Sequence, residues 1–553
     1  MMRRCFPNLA RRRLPARLTL AAWLAAALAG AAPASALAAT AAPQRDITMA
    51  LASEPASLDP LFSRTQNNMQ TAENMFERLI SQDENLQVRP GLAQSWRNLD
   101  PTTWEFRLRP GVRFSDGSPL TADDVAWSLA RARHVPNSPA PFSGAVAEIA
   151  RVDVIDPLTL RIVTKTPAPA FVEQVGLVYI VSRHAADGHA SGDYRQPAVA
   201  VGTGPYRLVR WIPGDRLVLE RNPYYWGKRP PFDHATLRFV ANDAARLSAL
   251  MSGSVDLIDN VPPVTLDRLR HTHDVTLFSG PSARLIYLAL DGSRPVSPFV
   301  HVVANTAANT AADAPAGANP LRDVRVREAI SKMIDREAIA RYLLNGAALP
   351  AAQIAPPGLG GYDPKLTPDA CDPAGARPLL AEAGYPHGFR LTLHASNDRF
   401  ASDGDLGQVL GQMLARGGIR IDDVVTQPYN VYAGAAAKRA YSAFVFSFGN
   451  STSDSAIALT NVIATHSPAA GTGAFNRTRY SNPRVDALLQ QASQTFDTAA
   501  RRRLLADAAD VAFRDYAIVP LYFPVDYWAA RGSVIFHPNQ AERTSLLYVE
   551  TRP

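Results

Sequence analysis

Trp104, Phe106 and Leu108 alternate with Glu105, Arg107 and Arg109, the period of a strand with one face buried. A tight Asp116-Gly117 turn follows. Thr121 and Asp124 then stand at capping-box spacing before a helix whose Val125, Leu129 and Ala132 share a face. Elsewhere residues 46 to 51 alternate as a strand, and 69 to 80 read as a helix with Met69, Met75, Phe76 and Leu79 on its apolar side. Residues 151 to 165 form a hairpin turning at Asp156-Pro157, and residues 202 to 226 form another. A helix from 243 ends at Gly253 and leads into a short strand. Val326, Ile330, Met333 and Ile334 mark one face of a later helix, and Asp335 caps a short one after it. Asn482 and Pro483 open a late helix as N-cap and first helical residue.

The start of the chain breaks this globular pattern. Six arginines precede a short apolar run at 18 to 30, and Ala36-Leu37-Ala38 offers a small-residue cleavage site. Residues 1 to 38 therefore read as a cleaved Sec-type signal peptide, with the mature chain exported to the periplasm. Those arginines account for six of the seven net positive charges, so the high overall charge gives no support to a nucleic-acid partner. Cys5 precedes the apolar run and makes no lipobox. Cys371 is then left alone, without a disulfide partner. The remaining chain, about 515 residues, is long enough for two or three domains. Residues 300 to 318, rich in Ala, Asn and Thr, read as an exposed insertion.

Several blocks carry a family likeness. They are the run from 86 to 132, SEPASLDP at 53 to 60, GTGPY with RNPYYW at 202 to 226, NPLRDVRVREAISKMIDREAI from 319, LPAAQIAPPGLGGYDP from 349, and YSNPRVDALLQQA from 480. Taken in their order along the chain, these blocks resemble the peptide/nickel-type (family 5, oligopeptide/dipeptide-binding) solute-binding proteins of bacterial ABC importers. The resemblance implies an α/β, two-lobed periplasmic binding protein that closes like a hinged flytrap, with an extra subdomain in its N-terminal lobe. Lobe I would span 39 to 282, with the extra subdomain at about 81 to 195, and would regain 516 to 553. Lobe II would span 283 to 515. The crossings would fall near 281 to 290 and 517 to 528. The implied partners are a small-molecule or short-peptide ligand and the ABC permease membrane subunits, with room for a chemoreceptor. A monomer is expected.

In peptide binders of this family, a lobe II loop reads roughly W-x-x-D-x-x-(D/E), and its middle Asp holds the peptide ammonium. The matching residues here are Phe448, Ser451 and Asp454, so the resemblance places a hydroxyl where the carboxylate stands. Phe448, Ser451, Asp454 and Tyr432, together with Thr65, Gln66 and Asn67 after the LDP segment, are the candidate ligand contacts. Bland roles compete for three of them: core for Phe448, a helix cap for Asp454, a loop hydroxyl for Ser451. The glycines at 202 to 204 do not make a dinucleotide loop, because Arg207 takes the third glycine position and no helix start follows. His271 and His273 beside Asp274 read as a solvated turn. No HExxH, paired CxxC or GxSxG motif occurs, so no catalytic residue, metal or cofactor is expected. A non-peptide solute (sugar, opine or chelated metal) is the alternative within the fold. An exported peptide hydrolase is the alternative outside it.

Overall fold

The computed structural model describes residues 45–302, 318–397 and 399–552. The signal segment and most of the predicted insertion lie outside the described residues. The insertion's first residues, Val300–His301, instead form a strand.

The first lobe begins with β1 (Asp46–Leu51) and α1 (Gln66–Ala72). The helix expected over 69 to 80 is thus shifted and shortened, and Glu77–Arg78 and Ile80–Gln82 are strands. Tertiary contacts override the helical pattern there. Buried Asn74 donates to the carbonyls of Gln70 (2.9 Å) and Thr71 (3.1 Å) and accepts from the amide of Leu546 (2.8 Å). That tether stops the helix and turns the chain.

A four-stranded antiparallel sheet follows, built from β2 (Ala93–Asp100), β3 (Thr103–Leu108), β4 (Ile149–Asp156) and β5 (Thr159–Thr164) in the order β2-β3-β5-β4. Phe106 and Leu108 are almost fully buried on its inner face. Helix α2 (Ala122–Ala132) starts as its sequence announces, with the Thr121 amide donating to Asp124 Oδ2 at 2.9 Å. Helix α3 (Phe171–Val175) completes this subdomain.

The strands β6 (Tyr206–Ile212), β7 (Arg216–Arg221) and β8 (His234–Phe239), helix α4 (Asp243–Met251) and strands β9 (Leu257–Ile258) and β10 (Val275–Pro281) bring the chain to the hinge. The glycines before β6 serve close packing. A Cβ on Gly202 would sit 2.1 Å from the carbonyl oxygen of Met75, and one on Gly204 2.5 Å from its carbonyl carbon.

Beyond the hinge come β11 (Arg284–Leu290), β12 (Val300–His301), α5 (Val324–Lys332), β13 (Ala348–Pro350), β14 (Arg390–Ser396), α6 (Asp403–Gly417), β15 (Arg420–Gln427), α7 (Tyr429–Ala437) and β16 (Ala443–Gly449). Helices α8 (Pro483–Gln494) and α9 (Thr498–Arg514) then pack together, and β17 (Val519–Arg531) returns to the hinge.

One 13-stranded sheet runs through both lobes in the order β6-β7-β8-β1-β9-β17-β11-β16-β14-β12, with β10 and β13 also paired to β17 and β15 to β14. Strand β17 is shared. Val525 to Arg531 pair with β10, while residues up to Pro524 pair with β11 and β13. The strand thus changes partners between Pro524 and Val525.

Candidate functional site

Each lobe contains parallel strands whose carboxyl ends face the hinge, the position where open α/β sheets hold ligands. In the first lobe β1 runs parallel to β8 and β9. In the second, β14 runs parallel to β15 and β16. The loops after β14, β15 and β16 deliver Arg399, Tyr429 and the segment 450 to 455 to this place.

Two arginines line the second-lobe wall. Arg399 lies over the ring of Tyr429, 5.1 Å from its centroid. Arg477 lies 3.8 Å over Phe446 and 5.5 Å from Phe475. The Tyr429 and Phe446 rings are 6.1 Å apart, so the cations sit on neighbouring aromatic faces. Arg399 Nε and Arg477 Nη1 are buried and have no hydrogen-bond partner among the described residues. Neither guanidinium is within salt-bridge reach of a described carboxylate, although Arg399 is near enough to act on the charge of Glu542. Phe448 meets Phe475 edge-on at 5.7 Å and extends the aromatic wall.

The floor is different. Arg284, at the start of β11, grips Glu542 through Nε–Oε1 (3.0 Å) and Nη2–Oε2 (2.8 Å), and Ser282 donates its hydroxyl to the same carboxylate. Burial would raise Glu542, but Arg284's charge and hydrogen bonds outweigh it and hold this carboxyl below its ordinary range. Asp526 on β17 has no such partner. Its Oδ2 is sealed from solvent and unbonded among the described residues. Burial, then the charge of Glu542, push its carboxyl well above the usual range.

At the rim the lobes touch. Glu173 of α3 accepts from the amide (2.7 Å) and hydroxyl (2.8 Å) of Ser453. Asp454 pairs with Arg501 at 2.8 Å and accepts from the amide of Ala456 at 3.0 Å. Burial and the nearby Asp454 charge raise Glu173 above the ordinary carboxylate range. Gln82 donates to the Ser451 carbonyl at 2.9 Å, and Trp104 meets Phe496 with ring centroids 6.2 Å apart.

The candidates read from sequence therefore scatter. Phe448 lines the wall, and Ser451 sits half-buried at the rim. Asp454 is 4% exposed and already neutralised by Arg501. Tyr432 is a correction: it is 1% exposed and its hydroxyl donates to the carbonyls of Val445 and His394, so it is core. Gln66 reaches the floor and donates to the Glu542 carbonyl. Asn67 is spent on the carbonyl of Glu54, and Thr65 is exposed beside Ser63 and Asn68. Asp59 of the LDP segment is buried in a bidentate pair with Arg131 at 2.9 and 2.5 Å, a structural role.

Sequence reasoning missed Arg284, Arg399, Arg477, Asp526 and Glu542. A signal existed for one: Asp526 is a lone carboxylate in the apolar run LYFPVDYW. Two open surface clefts of about 570 Å³ each lie elsewhere, one lined by Arg45, Asp46, Asp274 and Arg531 at the opposite ends of the strands, the other by Asp116, His184 and Glu220.

The family profile described as "Bacterial extracellular solute-binding proteins, family 5 Middle" matches residues 87–466. The glutathione-binding protein GsiB of Escherichia coli (strain K12) is 28% identical over 489 residues, covering 86% of this chain and 88% of that protein. Among solved structures, HbpA2 from Haemophilus parasuis matches with a TM-score of 0.77 at 22% identity, over 92% of this chain and 100% of that one. The periplasmic binding protein DppA from Helicobacter pylori, in complex with the peptide STSA, matches with a TM-score of 0.72 at 20% identity, over 92% and 98%. The α/β, two-lobed fold expected from the sequence is the fold of these proteins.

Proposed function

Because this chain belongs to the family 5 bacterial extracellular solute-binding proteins, we propose that its cleft captures a peptide or peptide-like solute through carboxylate groups held by Arg399 and Arg477. The protein is the substrate-binding component of an ABC importer and not an enzyme; it binds a small ligand or peptide and works with permease subunits. Family members are periplasmic, and no described helix is long and apolar enough to cross a membrane.

One observation carries the ligand class. Two guanidiniums stand on aromatic faces at the carboxyl ends of the second lobe's strands, with buried N–H groups left unbonded. Such donors are costly to leave unmade, and carboxylate oxygens satisfy them with charge-assisted bonds. The ligands named for two similar proteins, glutathione and the peptide STSA, both carry carboxylates. Ligand contacts to both lobes would favour the closed arrangement, the usual route of hinge closure.

The same reading includes a cleaved leader over residues 1 to 38, a monomer, lobes meeting at 282/283 and within β17, and a chemoreceptor as a possible second partner. Ser451 favours a second reading, a non-peptide acid, since the resemblance implies a carboxylate at this loop position for holding a peptide ammonium and this chain has a hydroxyl there. Mass spectra of the purified protein before and after denaturation test the choice. Release of peptides supports the first reading, a single non-peptide acid the second, and a neutral sugar would sink both.

A further inference from the structure

On the cleft floor, Asp526 has a buried Oδ2 for which the described residues supply no hydrogen-bonding partner. Its neighbour Glu542 is fully engaged by Arg284 and Ser282. Asp259, the next carboxylate, accepts from the amide of Ala52 at 2.8 Å and lies 3.7 Å from Arg246. Asp526 Oδ2 has neither kind of contact among the described residues and is out of reach of solvent. A buried acceptor left without a partner is costly and brings no structural return. Position adds to this. Asp526 pairs with Gly280 of β10, while Pro524, two residues earlier, pairs with Ala348 of the second lobe. The carboxyl thus stands where the chain passes between lobes, across the floor from the arginine wall.

We infer that Asp526 is the anchor for a cationic group of the ligand, an ammonium in a peptide or amino acid, placed opposite the carboxylate-binding arginines. This rests on the cleft being the ligand site, as proposed above, and assigns its cation end to the hinge strand instead of the loop at Ser451. The ligand class is then a zwitterion: carboxylate toward Arg399 and Arg477, cation toward Asp526.

The chemistry is consistent with a site that waits for its ligand. Burial and Glu542 favour the neutral carboxyl when the cleft is empty. The other charges near enough to act on it are Arg284, which opposes, and Asp259, which adds. An arriving ammonium supplies the missing countercharge, so the carboxyl ionises and binding releases a proton.

The test uses the full mature protein, its Asp526→Asn variant and two pools: di- and tripeptides with free N-termini, and the same peptides N-acetylated. Thermal shift and calorimetry read binding, with calorimetry run in two buffers of different ionisation enthalpy. The inference expects the free-amine pool to stabilise the native protein, the acetylated pool to bind roughly tenfold or more weakly, and Asp526→Asn to erase that preference. Proton release should vanish in the variant. Unliganded Asp526→Asn should melt no lower than the native protein, because the carboxyl has no hydrogen bond to lose. A clearly lower melting point would mark Asp526 as structural and overturn the inference. Equal binding of both pools, or a preference that survives the substitution, would overturn it while leaving the carboxylate reading intact. Binding of glutarate with no response to either pool would also overturn it. If neither pool nor glutarate binds, the reading of the cleft falls and the anchor with it.

Discussion

Two groups of charges meet where the lobes face each other, and the fold treats them differently. At the rim and on the floor most charges have an answer: Asp454 with Arg501, Glu173 with Ser453, Glu542 with Arg284. On the wall, Arg399 and Arg477 rest on aromatic rings with unbonded N–H groups, and on the floor half-buried Asp526 keeps a sealed Oδ2 without a hydrogen-bond partner among the described residues. Paired groups hold the chain in shape. Unpaired ones cost stability unless something outside the chain completes them.

Substitutions should divide along that line. Glu542→Ala removes one half of a largely buried pair and strands Arg284, so it should cost about 3–5 kcal/mol of folding stability, read by denaturant titration. Loss of ligand binding with stability intact would place Glu542 on the wrong side of the comparison. Arg477→Ala should do the opposite. It should weaken solute binding by about 1.5–3 kcal/mol, roughly tenfold to a hundredfold, with a smaller loss of unliganded stability than Glu542→Ala, confined to the aromatic contacts of Arg477. Calorimetry and thermal shift on one sample check both halves of that statement.

The rim gives a smaller, pH-dependent effect. Glu173 is raised by burial and by Asp454, so the contact holds a proton more tightly than the separated lobes do. Closure should therefore strengthen as pH falls through the acidic range above the ordinary glutamate value. Glu173→Gln should remove this dependence, with changes within about 1 kcal/mol, measurable as compaction by small-angle scattering. Compaction that grows with rising pH would contradict it.

Asp259, pushed up to about 6 by burial, sharpens the floor. Between about 6 and its ordinary 3.8 the folded form keeps a proton that the unfolded chain has released. Folding stability from this group therefore rises as pH falls across that window and is lost as pH rises through about 6. Asp259→Asn should flatten the melting-temperature profile there, an effect discounted by the neighbouring Arg246.

Local order was legible where short-range chemistry decides it. The strand around Phe106, the Thr121–Asp124 cap and the Asn482-Pro483 helix start all appear at their expected places, although Glu105, expected on the strand's polar face, is buried between Arg97 and Arg161. The helix expected over 69 to 80 failed because its end is set by a contact between Asn74 and Leu546, a partner far along the chain. The site failed for the same reason. Arg399, Arg477 and Asp526 lie in three separate segments, and nothing near any of them in sequence shows that strand ends bring them together. Phe448 was within reach because its loop carries a family pattern. Tyr432 was not separable from a cleft aromatic, since core and wall rings follow the same alternation.

The most direct test is a paired thermal shift on the native protein and the Arg399→Ala/Arg477→Ala variant. Each receives a pool of di- and tripeptides with free C-terminal carboxylates and the same pool amidated at the C-terminus. The account predicts that only the free-carboxylate pool raises the melting temperature, and only of the native protein. Equal stabilisation by the amidated pool, or an undiminished response in the double variant, would contradict it.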